Sequence, residues 1–136
     1  MADVVVTAAE VLPTTATQKT QGTAGATITA GQTVYLDSSD NKYKLADADA
    51  SATTAAVVGI ALNNAADGQP LTIAIGGSLD PGFTVTVGTI YVQSGTAGGI
   101  APAADLASLD YVTIIGIGLT AASLSLAIKA SGVAVP

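Results

Sequence analysis

Val57-Val58-Gly59-Ile60-Ala61-Leu62, followed after a polar gap by Leu71-Thr72-Ile73-Ala74-Ile75, is the stretch that decides the fold. Two short runs of β-branched and aliphatic residues, separated by Asn, Asp, Gly and Pro, read as strands joined by a turn. The same phrase returns as Ile114-Ile115-Gly116-Ile117-Gly118-Leu119 and Leu124-Ser125-Leu126-Ala127-Ile128. Matching runs also precede each copy. Gly31 leads into Val34-Tyr35-Leu36 and Leu45-Ala46-Asp47, and Gly88 into Ile90-Tyr91-Val92 and Ile100-Ala101. Gly31 and Gly88 stand 57 residues apart, as do Gly59 and Gly116, so order and register mark an internal duplication. The second copy is shorter at its last turn, with residues 120–123 in place of 63–70.

Outward from this core phrase, Thr33-Val34-Tyr35-Leu36 and Lys42-Tyr43-Lys44-Leu45 flank Asp37-Ser38-Ser39-Asp40-Asn41 and predict a hairpin. Further strands are predicted over 57–62, 71–75, 83–87, 89–93, 111–119 and 124–128. Asp67-Gly68-Gln69-Pro70 and Asp80-Pro81-Gly82 have turn chemistry. The glycine-rich stretches 75–78 and 95–99 also read as turns, since neither continues into the Lys-Ser/Thr and helix of a phosphate loop. The Ala-rich pieces 46–56 and 103–108 each have room for one helical turn. The prediction is an all-β chain, a compact barrel or sandwich from two internally repeated halves at about 27–80 and 83–132. Those halves make a single β domain over 26–136, because a copy of about 50 residues with few large side chains would not hold a core alone. Residues 1–25 are Ala, Thr and Val with one proline and read as an extended N-terminal arm. Gly59 and Gly116 inside apolar strands mark a bulge, a bend or a close backbone approach.

Composition narrows the possible partners. The chain has 136 residues, ten acidic residues against four lysines, and no Arg, His, Cys or Trp. Without arginine or a basic stripe, neither nucleic acid nor an anionic membrane surface is an expected partner. The absence of cysteine excludes disulfides and thiolate metal sites. No apolar run approaches 18 residues and Met1-Ala2-Asp3-Val4 lacks the basic start of a signal peptide, so a soluble chain without a standard export signal is expected. Much of the apolar content is Ala and Val, which bury little area each at about 25 cal/mol per Å². Part of the stability is therefore expected from association.

Catalytic chemistry is hard to assemble from these residues. Lacking His and Cys, the chain has no conventional general base or thiol nucleophile, and neither an enzyme nor a cofactor is expected. Asp37, Asp40, Asp47 and Asp49 lie close in sequence, but without the glycine and terminal glutamate of a calcium loop they are read as turn residues, with no metal site.

Ala30-Gly31-Gln32-Thr33-Val34-Tyr35-Leu36-Asp37, Lys44-Leu45-Ala46-Asp47-Ala48, Val57-Val58-Gly59-Ile60-Ala61-Leu62 and Gly68-Gln69-Pro70-Leu71 together resemble tailed-bacteriophage capsid decoration (cement) proteins. The resemblance covers residues 27–77, and the second half echoes it more weakly. It implies a structural protein on the outer surface of the virion, bound to the major capsid protein and clamping neighbouring subunits of the expanded head. It implies a homo-oligomer, often a trimer, although the duplication departs from a simple single-copy decoration domain. It carries over no catalytic residue. It also implies that Asp3, Val4, Val5, Val6, Thr7 and Ala8 form a capsid-binding arm that adds a strand to a partner's sheet edge. Other readings of the same β body are a tail- or fibre-associated virion protein and a small surface- or carbohydrate-binding module.

Overall fold

The protein is described by a computed structural model covering residues 3–136. Its strands are β1 (Val11–Pro13), β2 (Gln18–Thr23), β3 (Thr33–Asp37), β4 (Lys42–Leu45), β5 (Gly59–Ala61), β6 (Pro70–Pro81), β7 (Ile90–Gln93), β8 (Ile100–Pro102), β9 (Tyr111–Thr120) and β10 (Ser123–Ala134). One helical turn, α1 (Ala52–Ala55), and 3₁₀ turns at Ala8–Glu10 and Ala103–Asp105 complete it. The two Ala-rich pieces thus hold one turn each. Ser51 caps α1 through its side chain, which accepts from the Thr54 amide at 3.1 Å. The strands form one curled antiparallel sheet in the order β4-β3-β5-β6-β10-β9-β7-β8, with β1 and β2 also pairing along β6.

That order is a palindrome of the two halves: β4, β3, β5 and β6 correspond to β8, β7, β9 and β10. The pairing register repeats as well. Val34 faces Leu45 in the first hairpin and Tyr91 faces Pro102 in the second, each 57 residues on. Thr33 faces Ile60, and Ile90 faces Ile117. The last strands differ in detail. Ile60 pairs with Ala74, and Ile117 with Ser125, so Ala74 corresponds to Ser125 and Ile73 to Leu124. Matching the apolar runs had set Leu71 against Leu124. The true offset is two residues away, which keeps every side chain on its face because the strand period is two.

Gly59 and Gly116 serve close approach. A Cβ on Gly59 would press into the carbonyl oxygen of Ala74, and one on Gly116 into that of Ser125, the same contact in both halves. Gly76 and Gly77 have another use. The expected turn over 75–78 is absent, and β6 runs straight through it. The first half of β6 pairs with β5 and β2, the second with β10 and β1, so its backbone stays bonded while it changes neighbours. Gly77, at φ +76° and with no room for a Cβ against the Ala16 carbonyl, supplies the bend. The expected strand over 83–87 does not form either. After Gly82 the chain loops back, and its polar groups find other partners: the Val85 amide donates to Ala121 O at 2.9 Å and the Thr86 amide to the Tyr91 hydroxyl at 2.9 Å.

Two apolar clusters result. The larger lies between the halves and joins Ile60, Ala74 and Val57 to Leu79, Tyr91, Ile115 and Leu124. The smaller covers the other face of the first half, where Ala24 and Ile28 close over Val34, Leu71 and Ile73. Gln93 is fully buried between the halves. Its Nε2 donates to the carbonyls of Ala46 (2.9 Å) and Ser94 (3.0 Å), and its Oε1 accepts from the Thr33 hydroxyl. The N-terminal segment is not a free arm: β1 and β2 pair along β6, and Val11 and Ala24 are buried. A short strand needs its neighbour's hydrogen bonds, and β6 is long enough to offer both.

Candidate functional site

Residues 3–8, expected as a strand when paired, are extended but belong to no strand and end in the 3₁₀ turn Ala8–Glu10. The Val4 amide donates to Ile100 O at 2.9 Å and the Thr7 amide to Gly82 O at 2.8 Å. Asp3 accepts from the Ser94 hydroxyl at 2.6 Å. Alternation does the rest. Val4, Val6 and Ala8 pack on the core between the halves, while Val5 points out and is 86% exposed.

Val6 sits in a seat made by two glycines. Gly31 (φ +91°) and Gly82 (φ +79°) each adopt a left-handed conformation that L side chains rarely take. A Cβ on Gly31 would collide with Val6 and lie 2.9 Å from Val11, and one on Gly82 would lie 3.3 Å from Val6. The arm therefore lies on backbone laid bare for it. A cleft of about 230 Å³ remains between the arm and residues 96–100, and another of about 320 Å³ opens on the far side beside Val5, Glu10, Asp80 and Phe83.

The acidic residues divide into two unrelated groups. Asp37 accepts from the Ser39 amide (2.9 Å) and hydroxyl (2.7 Å), and Asp40 from the Lys42 amide (3.0 Å), which is turn geometry. Lys44 bridges Asp37 (2.6 Å) and Asp40 (3.1 Å). The hydrogen bonds from Lys44 and Ser39 hold the Asp37 carboxyl well below the usual carboxylate range, and the same pairing pushes the Lys44 ammonium up. Asp47 and Asp49 instead lie near Asp110, which sequence reading did not single out. Burial, with the Asp49 and Asp110 carboxylates beside it, pushes the Asp47 carboxyl up. Among the described residues no group of three or more acidic, His or Cys side chains is arranged to hold a metal ion. No described helix is long and apolar enough to cross a membrane.

Sequence reading also missed Gln93 and the Gly31–Gly82 seat. A glutamine ending the apolar run Ile90-Tyr91-Val92 was the available signal for the first. The second joins residues far apart in the chain and has no local signature. No protein-family model matches the chain, and no curated protein matches it in sequence.

Proposed function

We propose that this chain is a capsid decoration protein of a tailed bacteriophage, which binds the outer surface of the expanded head through the major capsid protein and cements neighbouring subunits. The observation that carries this is the string of residues 30–71 that resembles such proteins, residues that here build β3, β4 and β5 and open β6. The chemistry is in keeping with passive reinforcement. The chain is acidic, with a formal net charge of −6, and its arm exposes an extended Val5 flanked by residues that already grip the body. Many weak contacts repeated over a lattice gain by avidity, so each site needs little area. Further apolar surface would be covered by assembly into a homo-oligomer such as a trimer.

Expanded capsids lacking the protein test this directly. Added protein should bind at saturating stoichiometry and raise the temperature at which the heads break open. If sedimentation with such capsids shows no binding at micromolar concentration, the proposal fails.

A further inference from the structure

The internal repeat shows which surface of the second half lacks a cover. In the first half the turn before β3 is held by the Gln32 amide donating to Thr29 O (3.2 Å) and the Gly31 amide to Ala61 O (2.8 Å). In the second half the Thr89 amide donates to Thr86 O (3.2 Å) and the Gly88 amide to Gly118 O (2.9 Å). Gly88, like Gly31, is left-handed, at φ +80°. The two turns are built alike, but their surroundings differ. Val6 and Val11 cover Gly31, whereas among the described residues nothing lies within 4 Å of the Cβ position at Gly88.

Burial around the two seats diverges in the same sense. Ala30, Thr33 and Ile60 are buried and Leu62 is half-buried. Their counterparts Val87, Ile90, Ile117 and Leu119 are 65%, 43%, 43% and 52% exposed. Exposure ordinarily favours polar replacement. Here the exposed copy is the more apolar, with Ala30 matched by Val87 and Thr33 by Ile90. No charged residue occurs in the sequence over 81–104 or 111–128, the segments that supply the patch.

We propose that this patch around Gly88 is a docking site for an extended, uncharged segment of another chain, with aliphatic side chains at alternate positions. The occupant is argued from the first half, where the matching seat holds the extended Val4-Val5-Val6 segment with alternate residues turned inward. Size supports a segment over a folded partner. The four side chains expose on the order of 300 Å², well short of the roughly 800 Å² per partner that a stable dimer buries. A second copy does not supply the segment, because each chain has one arm and that arm fills its own seat. This inference rests on the repeat alone, independently of the capsid.

The test uses the full-length protein and, as probe, an uncharged capped peptide with the sequence of residues 4–9, followed by amide chemical shifts in NMR titration. Saturable shifts are expected at Gly88, Ile90, Ile117 and Leu119, with a Kd on the order of a millimolar, as suits a short segment. Leu119→Asp should weaken binding at least tenfold, and Ile90→Thr, which installs the first-half residue, several-fold, with the melting temperature of both variants unchanged. The proposal is overturned by an absence of saturable shifts in the second half. Shifts confined to Gly31 and Gly82 would overturn it by showing mere exchange with the resident arm. Dimerisation abolished by Leu119→Asp would overturn it in favour of a second copy.

Discussion

Replacing Gln93 with leucine removes one buried side-chain link between the halves, and its cost can be worked group by group. Gln93 is fully buried, as is Thr33, whose hydroxyl donates to it. The three carbonyls that Gln93 caps keep other donors: Ala46 O accepts from the Gly98 amide at 2.7 Å, Ser94 O from the Ala48 amide at 3.0 Å and Thr96 O from the Gly99 amide at 2.9 Å. Only the Thr33 hydroxyl is orphaned. A lost neutral hydrogen bond costs about 0.5–1.5 kcal/mol, and an orphaned buried hydroxyl about 1–3 kcal/mol. Leucine returns some apolar burial, so the net loss for Gln93→Leu is about 2–4 kcal/mol, or roughly 6–12 °C in melting temperature for a domain of this size. Thr33→Val alone leaves the Gln93 oxygen without that donor and should cost about 1–3 kcal/mol. The double variant leaves neither group stranded and should recover at least about 1 kcal/mol of the summed losses. Urea unfolding followed by circular dichroism measures all three. If Gln93→Leu costs less than about 0.5 kcal/mol, or Thr33→Val brings no recovery, the buried link does not hold the halves together.

Three other perturbations probe different parts of the fold. Gly77→Ala sets a side chain at φ +76° against the Ala16 carbonyl and should cost about 2–4 kcal/mol in urea unfolding; a cost below about 1 kcal/mol would remove the bend from the explanation of β6. Deleting residues 1–8 should leave a cooperative transition, whereas deleting 1–23 also strips β1 and β2 from β6 and should abolish it; a cooperative melt for the longer deletion would restore the boundary at residue 25. The carboxyl of Asp47 is raised in the folded state, so protonation favours folding and stability should grow as pH falls from neutral toward 3.8, its ordinary value. Asp37 is depressed, so its contribution is complete above 3.8 and is lost as pH falls below it. Asp47→Asn should therefore melt about 1–2 °C higher at pH 7 and lack the gain on mild acidification; an unchanged acid profile would discount the burial of this carboxyl.

The repeat was legible because its signal is local. Glycine positions, apolar runs and turn residues recur at a constant interval, and the hairpin from Thr33 to Leu45 needs nothing beyond its own residues. What was not legible depends on neighbours. Ile75-Gly76-Gly77-Ser78 looks like a turn in isolation, and only strands on both edges of β6 make a bend the cheaper solution. Phe83-Thr84-Val85-Thr86-Val87 alternates like a strand, yet the Tyr91 hydroxyl and the Ala121 carbonyl take its amides. The arm is the same kind of case. Nothing within residues 3–8 shows that Gly31 and Gly82, distant in the chain, leave the space in which Val6 rests.

Duplication followed by unequal burial explains more of this molecule than either half does. Two copies with the same register would be expected to present the same faces, yet the Ile60 face of the first lies inside the core and the Ile117 face of the second lies outside. The halves therefore meet through unlike surfaces: the face around Tyr91 and Leu124 in the second covers the face around Ile60 and Ala74 in the first. A contact through unlike faces leaves the other face of each half outside that contact. At the first end Ala24 and Ile28, from the segment that leads into β3, close it. At the second end Val87, Ile90, Ile117 and Leu119 stay partly exposed. The four aliphatic residues around Gly88 thus form the face of the second half whose counterpart is buried in the first, which is where a docked segment would complete the packing.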